Sequence, residues 1–478
     1  MLNLIIKNGI VVTMAGGKAS IIPDGAIGIK GNTIHCVGDS HLIINEYKSE
    51  RVIDAKGKIV LPGFINVHTH SAAGIGKGIL TGLRYYLEQG AAGYSQASTL
   101  ETRLASARMH VLEGIKRGYT TFCDNNFAMS VIAQVHEQFG TRARIAEGVR
   151  EMHWDYRSQL GEIYTFDRKY AEAGIKGTHD LLEKYGTDPD NRISAMVSFQ
   201  ALDYNSEELV VELGELAKKH NAMIHTHVAQ SPFEVEQCKK RFGMTPVDVL
   251  EKLGMLNENT LGAHMVYNTP EDTKKAAKSG MKMCYCPNSF TLAGGVPPAA
   301  MYANEGGTVG IGSDECAYSC VNPIADMRSG LIRANIGAKL AGIPPVKIFR
   351  IFQMSTIDAA KTIGIEKQAG SLEPGKKADI IIFNPDVINM KPVILTPMVN
   401  FMQNIVLAAT GEEVETVIID GKIVMEDRKV LTADEESIKK EAQEAGQDAA
   451  IKAYEYYKNL PQSEVLGLQE DYTLVHEI

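Results

Sequence analysis

The chain has 478 residues, enough for one large barrel with an appended domain or for two to three average domains. Its hydrophobic content of 44% and charged content of 22% are typical of a globular protein with a sizeable core. The formal net charge of −9 and the lack of a long lysine or arginine run argue against nucleic acid or an anionic membrane as a partner.

The sequence also bears on location. It has no segment that resembles a signal peptide, and no apolar run reaches the ~18 residues that a membrane span needs. The seven cysteines are an odd number and widely scattered, which favours free thiols in a reducing compartment over a disulfide framework. We therefore expect a cytoplasmic protein with no membrane partner.

Two β-rich flanks bracket a different middle. Short β-patterned runs with glycine turns fill residues 1–61, and such runs return from residue 378 onwards. Runs at 414–420 and 423–425, joined through Gly421 and Lys422, predict a hairpin. A charged amphipathic helix is predicted over 434–458, within a C-terminal helical arm at 433–478.

The middle, residues 62–367, alternates short apolar runs with helical patterns. Eight runs are present, at 63–67, 120–123, 143–148, 193–199, 223–227, 260–264, 281–284 and 309–312. Helical patterns lie between them, for example at 270–278, where Thr269 predicts an N-cap and Pro270 the first helical position. Eight strands alternating with helices predict an α/β fold, a (β/α)8 TIM barrel.

Histidines and one carboxylate lie at the ends of these predicted strands. Side chains alternate along a strand, so His68 and His70 share a face. Active sites of such barrels lie at the carboxyl ends of the strands, and these residue types suit zinc or ferrous iron. The candidates at the first, fifth, sixth and eighth strand ends are His68, His70, His225, His227, His264 and Asp314.

Five sequence motifs together resemble the amidohydrolase superfamily. They are Pro62-Gly63-Phe64-Ile65-Asn66-Val67-His68-Thr69-His70, Gly118-Tyr119-Thr120-Thr121, His225-Thr226-His227-Val228-Ala229-Gln230, Gly312-Ser313-Asp314 and Pro374-Gly375-Lys376-Lys377-Ala378-Asp379. The chain is most similar to the branch of cytosine, guanine and thioadenosine deaminases and s-triazine hydrolases. The resemblance implies a distorted (β/α)8 barrel over 62–367 that carries a small β-sandwich, formed from 1–61 and 368–432.

The resemblance also implies a metal centre. One divalent metal, zinc before iron, would be held by His68, His70, His227 and Asp314. Such a metal lowers the pKa of a bound water towards ~7. Asp314 would take a proton from the attacking water, while His264 orients that water and stabilises the developing negative charge. His225 competes for a ligand role on periodicity, and the resemblance assigns it to support.

Gln230 departs from the pattern of the deaminases. They have a glutamate there, which shuttles a proton to the ring nitrogen and the leaving group, whereas an amide is neither an acid nor a base at neutral pH. Three explanations stay open. The substrate arrives protonated and Gln230 only orients it; another acid serves, Glu315 or Glu151; or the leaving group needs no proton, as with chloride.

The end of the fourth strand departs as well. Similar enzymes often have a histidine there that contacts substrate, and this chain has Gln200. Both changes point away from ordinary nucleoside deaminases and towards a small neutral or cationic heterocycle. We expect substrate contacts from Gln200, Glu315 and Trp154, whose indole either stacks on a planar ring or packs in the core.

The sequence therefore predicts an enzyme, a metal-dependent amidohydrolase acting on C–N bonds other than peptide bonds. Its substrate is a small molecule, an N-heterocycle or cyclic guanidine such as creatinine, an aminopyrimidine or an aminotriazine, from which it removes an exocyclic amino group. Two alternatives remain, an s-triazine-type hydrolase that expels chloride or an alkylamine, and a non-catalytic metal-binding homologue. The resemblance and the C-terminal arm predict a homodimer or a larger homo-oligomer.

Overall fold

The structure is a computed structural model that describes residues 1–78, 97–153, 161–289, 295–315 and 320–459. Two sheets organise the chain, one of eight strands and one of nine. Within the described ranges, every helix is too short or too polar to cross a membrane.

The eight-stranded sheet is parallel, and its strands neighbour one another in chain order. All eight lie on the predicted apolar runs: β6 (Phe64–Thr69), β7 (Tyr119–Asn126), β8 (Arg142–Glu147), β9 (Ile193–Ser198), β10 (Ile224–Val228), β11 (Thr260–His264), β12 (Lys282–Tyr285) and β13 (Thr308–Ile311). A parallel bridge between Thr69 and Asp314 joins the two ends of the sheet. The predicted TIM-like barrel is confirmed as a nearly closed one.

Helices cover the outside of the barrel. Those in and around it are α2 (Leu100–Lys116), α3 (Met129–Phe139), α4 (Glu172–Tyr185), α5 (Glu207–His220), α6 (Pro232–Phe242), α7 (Pro246–Lys252), α8 (Pro270–Lys278), α9 (Ala299–Asn304), α10 (Pro323–Ala341), α11 (Ile348–Gln353) and α12 (Ile357–Thr362), after α1 (Ser40–Glu46) in the N-terminal flank. The predicted start of α8 is confirmed, since Thr269 and Asp272 form a reciprocal capping box.

The barrel interior is mostly apolar, and α12 packs across part of its amino-terminal end. Strand residues such as Val67 and Cys284 pack there with Ala359 and Ala360 of α12. Gly310 of β13 permits this packing, because a Cβ atom on it would lie 3.1 Å from the Ala359 Cα atom and 2.6 Å from a Val67 methyl group. The open end of the barrel is therefore the carboxyl end of the strands.

Both chain ends build the second, mixed sheet, as predicted. Its strands are β1 (Leu2–Val12), β2 (Ile21–Lys30), β3 (Thr33–Asp39), β4 (Ser49–Asp54), β5 (Ile59–Pro62), β14 (Ile380–Phe383), β15 (Val414–Ile419), β16 (Lys422–Glu426) and β17 (Lys429–Val430). Antiparallel pairing of β5 with β14 joins the two flanks, and β15 and β16 form the predicted hairpin.

The C-terminal helix packs on the barrel of its own chain. After the short α13 (Phe401–Leu407), α14 (Glu435–Tyr457) lies along α2. Lys116 of α2 donates to Glu435 at 2.7 Å, and Arg108 pairs with Glu441. The arm is thus attached to α2 by charge pairs, and a role for it between subunits stays a prediction.

Candidate metal centre

Three histidines and one aspartate converge at the open end of the barrel. His70 Nε2 lies 3.2 Å from His227 Nε2, and Asp314 Oδ1 lies 3.4 Å from the Nε2 atoms of both His68 and His70. Two ligands bound about 2.0–2.1 Å from one tetrahedral metal lie about 3.4 Å apart. The four side chains therefore have the spacing of a single-metal site.

Backbone geometry at the end of β13 brings Asp314 to β6. Gly312 lies against β6 so closely that a Cβ atom on it would be 2.7 Å from the His68 carbonyl oxygen. The Asp314 N–H donates to that same carbonyl at 3.0 Å. Asp314 itself has φ of 59°, a left-handed conformation that is uncommon outside glycine and recurs at functional sites.

The protonation states suit metal binding. Burial lowers the pKa of His68, and it lowers the pKa of His227 well below its usual value, so both imidazoles are neutral at pH 7. Burial alone would raise the pKa of Asp314, but His264, His68 and His70 hold it well below its ordinary value. Neutral imidazoles with an ionised carboxylate are the forms that ligate a divalent cation.

Backbone carbonyls fix the tautomers of two histidines. His70 Nδ1 lies 2.5 Å from the Asn125 carbonyl, and His227 Nδ1 lies 2.5 Å from the Gln200 carbonyl. Because a carbonyl only accepts, each Nδ1 carries the proton and each Nε2 presents a lone pair to the centre. Such partners behind a ligating histidine orient the ring and tune its basicity.

His225 occupies the same position behind His68. Its Nε2 atom lies 2.7 Å from His68 Nδ1, and its Nδ1 atom lies 3.8 Å from the Cys123 sulfur. His68 Nε2 is buried and has no hydrogen-bond partner among the described residues, so it is available to a metal. With Nε2 unprotonated, the His68 Nδ1–H donates to His225, which places His225 in support of the ligand.

A second group, His68, His225 and Cys284, also has ligand atoms within 4.8 Å of one another. It is poorly suited to a metal. The His225 Nε2 atom is already used by His68, and burial raises the pKa of the Cys284 thiol well above its usual value. The Cys284 thiol donates to the Val67 carbonyl at 3.4 Å. The group that contains Asp314 is therefore the better candidate for a metal centre.

His264 lies beside the centre at the end of β11. Its Nε2 atom is 3.8 Å from Asp314 Oδ2, and burial lowers its pKa to about 3. Its φ of 77° is a second left-handed conformation at this end of the barrel. A neutral imidazole in this position can donate a hydrogen bond to an incoming oxygen atom. The ionised carboxylate of Asp314 can contact the same oxygen atom.

Gln230 is buried two residues beyond the end of β10, and Glu234 fixes its backbone. The Gln230 N–H donates to Glu234 Oε2 at 2.8 Å. Burial raises the pKa of the Glu234 carboxyl group to about 7, against the opposing effect of the Gln230 and Ala229 N–H groups. Glu234 was not predicted from the sequence, although Ser231 and Glu234 have the spacing of a capping box.

The expected substrate-side residues have separate positions. Gln200 is half-buried, and its backbone carbonyl accepts a hydrogen bond from His227. Glu315 is half-buried and follows Asp314 in the chain. Glu151, considered above as a substitute acid, accepts a hydrogen bond from the Ser206 N–H at 2.8 Å and another from the Ser206 hydroxyl. Its carboxylate thus holds the start of α5. Trp154 lies outside the described residues.

A buried polar group behind His70 was also missed. Asp124 Oδ2 accepts from the Ser71 hydroxyl at 2.5 Å, and the same oxygen lies 3.1 Å from the His136 Nε2 atom. These contacts fix the turn that follows the first-strand histidines. The signal was the polar run Asp124-Asn125-Asn126, directly after the second predicted strand.

Comparison with known proteins agrees with this architecture. The sequence matches the amidohydrolase family over residues 59–424. It is 32% identical over 448 residues to a 5-methylthioadenosine/S-adenosylhomocysteine deaminase of Desulforamulus reducens, covering 93% of this chain and 98% of the relative. It is 29% identical over 453 residues to a 5'-deoxyadenosine deaminase of Methanococcoides burtonii, covering 94% and 98%.

The fold is shared with solved structures. The structure of an adenosine deaminase from Xanthomonas campestris with bound zinc superposes with a TM-score of 0.84 at 21% identity, covering 94% of this chain and 99% of that one. At this identity the likeness concerns the fold alone. The sequence match, by contrast, covers the whole barrel within residues 59–424, and on that ground the chain belongs to the amidohydrolase family.

Proposed function

We propose that this member of the amidohydrolase family, a hydrolase of C–N bonds other than peptide bonds, removes an exocyclic amino group from an N-heterocycle as ammonia. The observation that carries the proposal is the set of His68, His70, His227 and Asp314 at ligand spacing, with neutral His264 beside it. The relatives at about 30% identity, which are named as deaminases of adenosine derivatives, support hydrolytic deamination as the reaction type.

We propose zinc as the metal, with ferrous iron as the second choice. The fit rests on the orphaned Nε2 atom of buried His68 and on the donor set of three imidazoles and one carboxylate. When bound there, the ion would act as a Lewis acid and lower the pKa of water to near neutrality.

The chain's own residues supply the proton handling. The Asp314 carboxylate, ionised at neutral pH, accepts a proton from the attacking water and returns it to the amino nitrogen, which then leaves as ammonia. His264, neutral and buried, donates a hydrogen bond to the oxygen that gains negative charge at the ring carbon. The Gln230 side chain donates or accepts a hydrogen bond and transfers no proton, so it orients the ring.

This division of labour favours a substrate that needs little help with protonation. A cyclic guanidine or amidine that binds in its protonated form needs no general acid at position 230, because its cationic carbon accepts the nucleophile directly. The best-supported class is therefore an amino-substituted N-heterocycle or cyclic guanidine. Adenosine derivatives belong in any test, because the relatives carry those names.

The test is ammonia release by the zinc-loaded protein from creatinine, aminopyrimidines, aminotriazines, 5'-deoxyadenosine and 5-methylthioadenosine. We expect one compound class to give ammonia, with Asp314→Asn reducing the rate at least about 10²-fold. On the productive substrate Gln230→Glu should lower activity. A gain of activity in Gln230→Glu would contradict the orienting role, and silence across the panel with bound metal confirmed would contradict deamination.

One observation favours a second candidate. Because Gln230 cannot protonate a departing amine, a leaving group such as chloride suits the site as well. Chloride release from chloro-s-triazines, measured on the same zinc-loaded protein, separates this alternative from deamination.

A further inference from the structure

We infer that the amino-terminal end of the barrel, opposite the metal centre, holds a binding site for a small oxoanion, with the Arg144 guanidinium at its floor. A cavity of about 420 Å³ opens there. Its walls come from segments that precede strands β9, β10 and β11 and from the turn after α12. The residues are Thr187, Asp188, Pro189, Asn221, Met223, Asn259 and Gly364. These residues take no part in the proposed deamination.

Arg144 is a buried charge without a counter-charge in contact. It lies on β8, and only 4% of its surface is exposed. Its Nη1 group donates to the Thr187 carbonyl at 3.2 Å and to the Ser194 hydroxyl at 2.8 Å, which are both neutral acceptors. Among the residues that the structure describes, the Nε–H has no hydrogen-bond partner and no carboxylate forms an ion pair with Arg144.

An unpaired buried guanidinium is costly, and proteins satisfy such groups with carboxylates, phosphates or other oxoanions. The charge persists, since arginine stays protonated in proteins and burial only lowers its pKa from a very high value. The fork of N–H groups also matches the oxygens of a phosphate or a carboxylate. The Nε atom is enclosed by protein, so an oxoanion in the cavity would meet the Nη2 group, which makes no hydrogen bond to the described residues.

The rim of the cavity adds further donors. The side-chain amides of Asn221 and Asn259 line it and have no hydrogen-bond partner among the residues that the structure describes. Asn221 is held in a left-handed conformation, φ 49°, at the carboxyl end of α5. Two amide donors above a guanidinium floor form a polar cup that is open to solvent.

Two features oppose an anion and set the expected affinity. The carboxylate of Asp188 is in the lining and is exposed, so it repels a second negative charge. The helix ends that face this side are carboxyl ends, whose carbonyls are partly negative. The Asp188 carboxylate accepts from the N–H of Asp190 at 2.9 Å, which holds it in its own turn. We therefore expect a site of modest affinity.

The experiment measures binding of inorganic phosphate to the zinc-loaded protein by calorimetry, with chloride fixing the ionic strength. We expect one phosphate per chain at the barrel end. Arg144→Met should weaken binding about tenfold to hundredfold, since a charged hydrogen bond is lost. Asp188→Asn should tighten it about two- to fivefold, since a nearby like charge is removed. A parallel titration with acetate shows whether a carboxylate is taken as well.

Arg192→Met is the matched control, because Arg192 lies at the same end of the barrel but binds the carbonyls of His136 and Thr141 and is not in the cavity wall. Its phosphate affinity should stay within twofold of the parent protein, roughly the size of a surface charge effect. Equal phosphate affinity in Arg144→Met and the parent would overturn the proposal. So would binding that disappears when the metal is chelated, since the anion would then be at the metal centre. If Arg144→Met fails to fold, the direction of the Asp188→Asn change decides.

Discussion

His225 is linked to the candidate metal centre by one hydrogen bond, to His68. Its Nε2 atom accepts from His68 Nδ1 at 2.7 Å in a fully buried setting, and burial lowers the pKa of His225 well below its usual value. We predict that His225→Leu lowers zinc affinity about 10–100-fold, the usual effect of removing the partner of a ligating histidine. The loss arises because the His68 N–H is left buried without an acceptor.

Competition with a chromophoric chelator measures this affinity directly, without any substrate. His225→Gln is the control, because its amide oxygen can still accept a hydrogen bond from His68, and it should retain most of the affinity. An affinity unchanged in His225→Leu would mean that His225 has no part in positioning the metal ligand.

For single residues, sequence patterns identify functional side chains more readily than the backbone groups that hydrogen-bond to them. His68, His70, His227 and Asp314 could be selected because each side chain lies at a strand end. The Asn125 and Gln200 carbonyls that fix two of the tautomers could not, since every residue has a carbonyl. The Glu151 carboxylate was considered as a proton donor, and only the fold shows that it holds Ser206.

Helix α3 begins without a capping side chain of its own. Ala128 precedes it with φ of 64°, and the helix N–H groups are satisfied from β8 instead. Glu147 accepts from the Ala128 N–H at 2.6 Å and from the Ser130 N–H at 2.9 Å. Despite these bonds, burial raises the pKa of the Glu147 carboxyl group to about 7.

The raised pKa makes stability depend on pH. Between the unfolded pKa of about 4.5 and the folded pKa of about 7, the folded protein binds more protons than the unfolded chain. The contribution of Glu147 to the free energy of unfolding is therefore fully present below pH 4.5 and is lost as pH rises towards 7. We predict that Glu147→Gln removes this part of the pH dependence. The free energy of unfolding should then decline with rising pH by less than in the parent protein, the difference being on the order of 2–3 kcal/mol.

Urea denaturation at pH 5 and pH 8 measures the effect as a difference between the two values for each protein. Glu137→Gln in the same helix is the control, since the Tyr185 hydroxyl lowers rather than raises the pKa of Glu137. The same decline from pH 5 to pH 8 in Glu147→Gln and the parent protein would refute the assignment.

The elements themselves were well predicted, for a physical reason. Each barrel strand is buried on both faces, so its sequence is a short apolar run that lies between helical patterns. The start of α8 was predicted from Thr269 and Pro270, whereas the start of α3 was not. Its cap comes from Glu147, on a neighbouring strand, and leaves no local signal.

At the scale of the whole molecule, one buried arginine ties the barrel to the second sheet. Arg142 begins β8, and its Nε–H donates to Asp379 Oδ2 at 2.6 Å, just before β14. A second N–H group donates to Asp420 Oδ1 at 3.1 Å, in the turn between β15 and β16. Burial works against the charged form, but Asp379 and Asp420 raise the pKa of Arg142 overall.

This contact gives Asp379, the last residue of its motif, a charged partner in the barrel. Strand β5 leads directly into β6, so the barrel and the mixed sheet are continuous there. Asp379 fixes the return of the chain against the same barrel end. The pairing of both flanks was predicted from the resemblance, but the ion pair joins residues 237 positions apart and no local pattern specifies it.

We predict that Arg142→Met destabilises the whole protein by about 3–5 kcal/mol, because it leaves the Asp379 carboxylate buried without a counter-charge. Adding Asp379→Asn should restore part of that stability, since the unpaired charge is then gone. The control is Arg51→Met, which breaks the pair with Glu426 at the surface and should cost no more than about 1 kcal/mol. Chemical denaturation measures five proteins: the parent, Arg142→Met, Asp379→Asn, the double variant and Arg51→Met. If the double variant loses the summed cost of its two single changes, the two residues are energetically independent and the barrel is held to the second sheet by other contacts.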